Sequence, residues 1–157
     1  MRKRSPAGGS GAGITVIELT VLVAIVGMLA AVGVPVYQSY RDTARDVKAA
    51  ADIATLQFDL RFYESANNGQ LPPSLDTLGR GTIRDPWGNA YRYLNFATVS
   101  GTGPMRKDRF MVPINSTYDL YSMGKDGMTA TPLTSKNSRD DIIRANDGGF
   151  IGLASDY

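Results

Sequence analysis

The first strong pattern in the chain is an almost continuous run of apolar side chains. It extends from Leu19 to Val36, and the hydroxyl of Thr20 is its one polar interruption. Together with residues 14–18 it forms a stretch of 23 residues. As a helix this stretch is about 34 Å long, which is enough to cross the hydrocarbon core of a bilayer. We therefore expect residues 14–36 to form a transmembrane helix.

A second pattern, amphipathic rather than uniformly apolar, follows in residues 37–66. Its apolar side chains recur at intervals of three or four residues, which is the period of a helix. They are Tyr40, Ala44, Val47, Ala51, Ala54, Phe58 and Phe62. We expect this stripe to pack on a small sheet, and a solvated coiled coil is the alternative. Asn68 and Gly69 supply a left-handed cap, so the helix is expected to end near Ala66. If it is unbroken from Ile14 to Ala66, it is about 80 Å long.

The remainder of the chain, residues 67–157, is rich in Gly, Pro, Asn, Asp, Ser and Thr, which is typical of short strands joined by turns. Apolar runs that predict strands occur around Ala90 to Ala97, Arg109 to Ile114 and Tyr118 to Met123. A long helix followed by a small antiparallel sheet is an α+β fold.

Composition changes this picture mainly by exclusion. The 157 residues include no histidine, which excludes catalytic triads and most zinc sites. No converging acid–base pair can be named either, so we expect a non-enzymatic protein. The chain also includes no cysteine, so a small folded head after the helix needs a source of stability other than disulfide bonds, such as oligomerisation or a bound metal. Without Arg2, Lys3 and Arg4, fourteen basic residues face fifteen acidic ones, which argues against nucleic acid as the primary partner.

Glu18 is the feature that an ordinary membrane anchor or a secretory signal peptide does not explain. A carboxylate at the start of a membrane helix costs about 2.5 to 3.5 kcal/mol, and such groups are usually paired or functional. If the chain is cut after Gly13, the new α-amino group of Ile14 lies one helical turn before Glu18. Cleavage would then supply the missing cation.

The seven residues from Gly13 to Leu19, GITVIEL, resemble the type III signal of type IV pilins and of type II secretion pseudopilins. The resemblance implies that a prepilin peptidase cuts after Gly13 and methylates the amine of Ile14, and that Glu18 guides assembly. Pro35 occupies the helix-proline position of that family and is expected to kink or locally melt the helix, either as a tolerated feature or for filament packing. The departures are Ile14, where the family usually has phenylalanine, and a somewhat long leader.

The segment from Asp85 to Tyr91, DPWGNAY, contains the chain's only tryptophan. By itself it predicts a turn that is anchored by a core aromatic residue, Trp87. Placed after a long helix, it is similar to the DPWGxxY motif of the major pseudopilin, the G subunit of type II secretion systems. This similarity favours a secretion pseudopilin over a pilin of a surface fibre.

The acidic residues that follow the last predicted strand indicate either a solvated loop or a cation site. Their spacing is not that of an EF-hand. In the major pseudopilins the corresponding region holds calcium, and the resemblance implies side-chain ligands from Asp126, Asp140 and Asp141 and a carbonyl ligand from Met123.

This chain departs from that calcium-binding pattern in two places. The loop from Met128 to Asn137 is longer, so the remaining carbonyl ligands stay unassigned. The tail from Arg144 to Tyr157 is also longer, and within it Asp147 is either a further ligand or, as we expect, a turn residue.

The resemblance divides the chain into four segments. Residues 1–13 are the leader, 14–36 the transmembrane and assembly helix, 37–66 its amphipathic continuation, and 67–157 a periplasmic head with a calcium-type loop. The expected fold is α+β and pilin-like.

The implied function is that of a structural subunit of a type II secretion pseudopilus, which polymerises with copies of itself through the N-terminal helices. Its implied partners are a prepilin peptidase, the inner-membrane assembly platform and minor pseudopilins. The precursor is expected in the bacterial inner membrane with its head in the periplasm, and the assembled filament in the periplasm. The alternatives are a type IV pilin or minor pilin of a surface fibre, and a membrane-anchored periplasmic binding protein with an uncut N-terminus.

Overall fold

The computed structural model describes residues 13–157, and the first twelve residues, which make up most of the expected leader, lie outside that range. The expected α+β fold is confirmed. One long helix, α1, spans Val16–Ala66, and its second half packs on a four-stranded antiparallel sheet. The helix begins two residues after the predicted start and ends at the predicted residue.

Helix α1 ends where the sequence places a stop. Asn68 and Gly69 have φ values of 54° and 80°, and the amide of Gly69 donates to the carbonyl of Glu64 at 2.9 Å. Glycine adopts this left-handed conformation without the steric cost of a Cβ atom. The Asn-Gly pair therefore terminates the helix as predicted.

The described chain divides into two compact units between Tyr40 and Arg41. In the first unit, every described side chain is exposed. The most apolar 18-residue window of α1 has a mean hydropathy of 2.5, so by length and composition this helix can cross a membrane. Helix α1 continues through Pro35, and the kink expected there stays a prediction.

The second unit combines the C-terminal half of α1 with the sheet. The strands are β1 (Arg92–Asn95), β2 (Tyr118–Ser122), β3 (Ile142–Ala145) and β4 (Phe150–Leu153). They lie in the order β1-β2-β3-β4, and each neighbouring pair is antiparallel, so the sheet is a meander. Long connections before β2 and before β3 carry most of the charged residues discussed below.

Two of the three predicted strands are confirmed as β1 and β2. The third, Arg109 to Ile114, is wrong: this segment lies in the connection between β1 and β2, and the side chain of Phe110 is fully exposed. A run of apolar residues forms a strand only where a neighbouring strand pairs with it and one of its faces is covered. Strands β3 and β4 were not predicted.

One face of α1 forms the main core with the sheet. Its buried residues are Ala49, Ile53, Leu56 and Leu60. They are at most 1% exposed and cluster with Tyr118, Leu120 and Ile142 of the strands. Ile143, the next residue along β3, belongs to a second cluster with Ile114 and Leu133, because successive side chains of a strand point to opposite faces of the sheet.

The apolar stripe that the sequence assigned to the sheet is not the buried one. Val47, Phe58 and Phe62 are 64%, 70% and 71% exposed, and Ala51 and Ala54 are exposed as well. The prediction that this half of the helix packs on a sheet is confirmed, but the predicted face is wrong. The buried residues repeat with the same spacing of three and four, and the sheet covers only one side of the helix.

Candidate functional site

The start of α1 is closed by a reciprocal pair of contacts between Thr15 and Glu18. The amide and the hydroxyl of Thr15 donate to Oε2 of Glu18 at 2.8 and 2.9 Å. In return, the amide of Glu18 donates to the hydroxyl of Thr15 at 3.2 Å. This is a capping box, in which a threonine before the helix and a glutamate three residues later satisfy each other's free amide groups.

The capping box gives Glu18 a local role that the sequence reasoning missed. The T-x-x-E spacing from Thr15 to Glu18 could have revealed it. Gly13 and Ile14 precede the helix and are exposed, and cleavage between them stays a prediction. Glu18 can cap the helix before cleavage and would still lie one turn from the amine that cleavage would create, and its role in assembly stays a prediction.

The turn that begins at Asp85 is joined directly to the end of β2 and to the segment that follows it, residues 123–141, which we call the acidic loop. The carboxylate of Asp85 is buried; its Oδ1 accepts from the amides of Trp87 and Asn89 at 3.0 and 2.8 Å, and its Oδ2 accepts from the hydroxyl of Ser122 at 2.5 Å. The side-chain amide of Asn89 donates to the carbonyl of Gly124 at 3.0 Å. Two motifs that lie far apart in the sequence thus form one structure. Trp87 packs against the main core, as predicted for an aromatic residue that anchors a turn.

Asp126 and Asp140 meet beside Gly124. The amide of Asp126 donates to Oδ2 of Asp140 at 3.0 Å, and Oδ1 of Asp126 accepts from the amide of Met128 at 2.7 Å. Gly124 has a φ of 64°, and a Cβ atom there would collide with the carbonyl of Asp140. These two carboxylates and the neighbouring carbonyls are the kind of oxygen donors that calcium prefers.

Asp141 is bound by a different set of groups. Its carboxylate is fully buried, and its Oδ2 accepts from Nη2 of Arg106 at 2.5 Å and from the hydroxyl of Thr129 at 2.6 Å. Burial raises the pKa of Asp141 to about 6, while Thr129 and Arg106 act in the opposite direction. Arg106 therefore already supplies a positive charge to this carboxylate.

The four predicted calcium ligands are only partly brought together. Asp126 and Asp140 lie next to each other. The carboxylate of Asp141, in contrast, already binds a guanidinium group, whose positive charge disfavours the binding of a second cation there. Over residues 13–157, no group of three or more acidic side chains is arranged to hold a metal ion. Met123 lies directly after β2, and its sulfur accepts from Nε of Arg92 at 3.4 Å. The complete ligand set stays a prediction.

Asp147 lies in a turn, as the sequence reasoning expected. Its φ is 53°, it belongs to the short helical turn Asn146–Gly148, and its Oδ1 accepts from the amide of Ser116 at 2.8 Å. This contact fastens the connection before β2 to the turn between β3 and β4. The important residue that sequence reasoning missed in this half of the molecule is Arg106, and no pattern around it indicates a partner 35 residues away.

The chain is similar to several curated proteins that share one name, type II secretion system core protein G. It is 32% identical to the protein of Pseudomonas aeruginosa PAO1 over 135 residues, which cover 73% of this chain and 84% of the relative. It is 30% identical to that of Aeromonas hydrophila over 152 residues, with coverage of 83% and 91%. For Escherichia coli K12 the identity is 29% over 139 residues, with coverage of 76% and 85%. No protein-family model matches the chain, and no solved structure gives a significant match.

Proposed function

This chain belongs to the family of type II secretion system core protein G, the major pseudopilins, and on that premise we propose that it is a structural subunit of a periplasmic pseudopilus. The name of the relatives supports the role of a pseudopilin subunit. Processing by a prepilin peptidase, assembly through the N-terminal helix and the location in the periplasm are the further parts of the proposal. The relatives are named as components of a secretion system rather than as enzymes, in keeping with a structural role.

The observation that carries the proposal is the exposed apolar surface of the first unit. From Ile14 to Val36, the large apolar side chains are between 49% and 77% exposed. Such a surface needs lipid or other helices around it, because extended apolar patches are rare on a soluble monomer. In the precursor the bilayer surrounds these side chains, and in the filament the helices of neighbouring copies do so.

The second unit offers a further apolar surface on the same helix. We call it the open face of α1, and it consists of Val47, Ala51, Ala54, Phe58 and Phe62. Fully burying one large apolar side chain stabilises a contact by about 1.5 to 3 kcal/mol. The open face therefore supports packing between subunits beyond the segment that first lies in the membrane.

The first test determines the N-terminus of the chain. The protein is isolated from membranes of a host with and without prepilin peptidase, and its intact mass and N-terminal sequence are measured. We expect a peptidase-dependent N-terminus at Ile14 that carries one added methyl group. An N-terminus at Met1 in both hosts would contradict processing and favour the membrane-anchored binding protein.

The second test separates the two roles of Glu18. Glu18→Gln retains an amide oxygen that can complete the capping box with Thr15 but removes the charge. Glu18→Ala removes both, and Thr15→Ala weakens the cap while leaving the carboxylate. We expect both Glu18 variants to insert and be processed but to form few filaments, because neither can pair with the new amine of Ile14.

The Thr15→Ala variant serves as the control for this second test. It should assemble better than either Glu18 variant, since its carboxylate remains. Normal filaments from Glu18→Gln, together with poor ones from Thr15→Ala, would show that capping, and not the charge, is what assembly requires.

Calcium binding by the acidic loop is a separate part of the proposal. It is supported by the proximity of Asp126 and Asp140. Of the two other ligands that the resemblance implies, the carbonyl of Met123 belongs to the proposal, whereas the carboxylate of Asp141 is already paired with Arg106. A ligand that binds only the folded state raises the melting temperature by mass action. The full chain in detergent should therefore melt at a higher temperature in calcium than in EDTA, and the difference should vanish in Asp140→Asn. Equal melting of the wild type in both conditions would count against calcium binding.

A further inference from the structure

The guanidinium group of Arg106 is enclosed by oxygen atoms from the chain that follows β2. Its Nη1 donates to the hydroxyl of Thr129 at 2.5 Å and to the carbonyl of Ala130 at 2.7 Å. Its Nη2 donates to Oδ2 of Asp141 at 2.5 Å. A hydroxyl, a carbonyl and a carboxylate are oxygen donors of the kind that a calcium ion would use. The guanidinium thus lies in a cation site built from protein oxygens.

Both members of the Arg106–Asp141 pair are buried. Arg106 is 2% exposed and Asp141 is 0% exposed, and the guanidinium lies 4.4 Å from the centre of the Tyr121 ring. The backbone amide of Arg106 is also fixed, because it donates to Oδ2 of Asp119 at 2.6 Å. Removing one partner of such a pair leaves an uncompensated charge in the interior, which is strongly destabilising.

The remaining atoms of the pair point to the same partnership. Among the described residues, Nε of Arg106 and Oδ1 of Asp141 are buried atoms with no hydrogen-bond partner. These are the two atoms that complete a bidentate arginine–carboxylate fork. A bidentate Arg106–Asp141 pair would satisfy both atoms without a third group.

The contact also closes the long loop Met128–Asn137. Thr129 and Ala130 lie at its start and bind the guanidinium. The hydroxyl of Ser138, just after the loop, donates to the carbonyl of Ala130 at 2.8 Å and accepts from its amide at 3.0 Å. Hydrogen bonds thus hold the loop at both ends around the arginine, without a disulfide bond.

We propose that Arg106 is the built-in cation of this loop. Its guanidinium occupies the place at Asp141 that the resemblance gives to calcium, so Asp141 is an ion-pair partner and not a metal ligand. Calcium held by Asp126 and Asp140 then adds stability to a head that is already closed, and a chelator leaves that head folded. The proposal does not depend on filament assembly.

The experiment is a double-mutant cycle on the full chain in detergent, with thermal unfolding followed by circular dichroism in EDTA and in calcium. Arg106→Met and Asp141→Asn should each lower the melting temperature by about 10 to 20 °C. The loss should be the same in both conditions, since no metal acts at Asp141. The double variant should lose less than the sum of the two, because the second substitution removes the charge that the first one leaves unpaired.

Arg80→Met is the matched control. Nε of Arg80 lies 2.8 Å from Oδ2 of Asp59, but the arginine side chain is 43% exposed. Loss of an exposed pair should lower the melting temperature by less than about 3 °C. The comparison shows whether burial, rather than the mere presence of an ion pair, sets the size of the effect.

Two outcomes would overturn the proposal. One is an Arg106→Met variant that melts, in EDTA, as close to the wild type as the Arg80 control does. The other is an Asp141→Asn variant that loses the calcium-induced rise in melting temperature seen in the wild type, since Asp141 would then be a metal ligand. If Arg106→Met does not fold, Asp141→Asn decides alone: destabilisation in EDTA with any calcium-induced rise unchanged supports the proposal, and no destabilisation in EDTA contradicts it.

Discussion

Two faces of one helix have opposite environments in the second unit of this molecule. The face formed by Ala49, Ile53, Leu56 and Leu60, which we call the core face, is covered by the sheet. On the open face, Phe58 and Phe62 are at least 70% exposed. Both faces are apolar, and both repeat every three or four residues. Helical spacing thus identifies the surfaces that are able to pack, whereas the position of the sheet decides which of them packs within the chain.

The comparison also separates stability from assembly. The core face contacts strands of its own chain, so its side chains contribute to folding. The open face adds little to folding, and under the proposed function it is the surface that packs against neighbouring copies. Substitutions on the two faces should therefore change different measurements, and the three predictions that follow are ordered from the largest expected effect to the smallest.

The largest effect is expected from Leu56→Ala on the core face. Leu56 is 1% exposed, and its truncation should lower the free energy of unfolding by about 2 to 5 kcal/mol, through lost burial and a residual cavity. The measurement is denaturant unfolding of the full chain in detergent. The fluorescence of Trp87 is a suitable probe, because this single tryptophan packs against the same core.

Phe58→Ala on the open face is the control for that prediction. It removes a larger side chain than Leu56→Ala does, yet it should change the free energy of unfolding by no more than about 0.5 kcal/mol, because the ring is exposed. Equal losses from the two variants would contradict the assignment of Leu56 to the core face and of Phe58 to the open face.

The second effect, of at least about 1.4 kcal/mol, is seen in assembly rather than in folding and is expected from Phe58→Ser combined with Phe62→Ser. Each aromatic side chain buried between subunits contributes about 1.5 to 3 kcal/mol, and about 1.4 kcal/mol corresponds to a tenfold change in an equilibrium. The amount of filament recovered by sedimentation should fall at least about tenfold, while the amount of processed protein stays unchanged.

Phe110→Ser is the matched control for the assembly prediction. Phe110 is fully exposed but lies in the connection between β1 and β2 rather than on α1. It should leave the filament yield near that of the wild type. If Phe110→Ser reduced the yield as much as the double variant does, general loss of surface hydrophobicity, and not the open face, would be responsible.

The sequence predicted the helix better than it predicted the sheet, for physical reasons. A periodic apolar pattern with the Asn68-Gly69 stop defines α1 locally, and its end is confirmed. Strand β3 was missed because Arg144 interrupts its short apolar run. The structure buries this arginine at 3% exposure by placing it 4.1 Å from the ring of Tyr118 and bonding it to Oε1 of Gln57 at 2.7 Å. Such compensation depends on contacts across the fold.

The same limit applies to the candidate site. The resemblance places Asp126 and Asp140 in one loop, and the structure brings them together. It could not indicate Arg106, whose partner Asp141 lies 35 residues further along the chain. Cation sites that depend on a distant arginine leave no regular spacing in the sequence, so they become visible only in the folded chain.

The smallest predicted effect concerns Asp52, which lies at the border between the core face and the open face. Its Oδ2 accepts from the hydroxyl of Tyr91 and from Nζ of Lys48, each at 2.9 Å. Tyr91 is 6% exposed, whereas the side chain of Lys48 is 62% exposed. Tyr91→Phe should therefore lower the free energy of unfolding by about 0.5 to 1.5 kcal/mol, and Lys48→Ala by no more than about 0.5 kcal/mol. Both losses are measured by denaturant unfolding. A larger loss of unfolding free energy from Lys48→Ala than from Tyr91→Phe would show that the core face extends further around the helix than the exposed fractions of its side chains indicate.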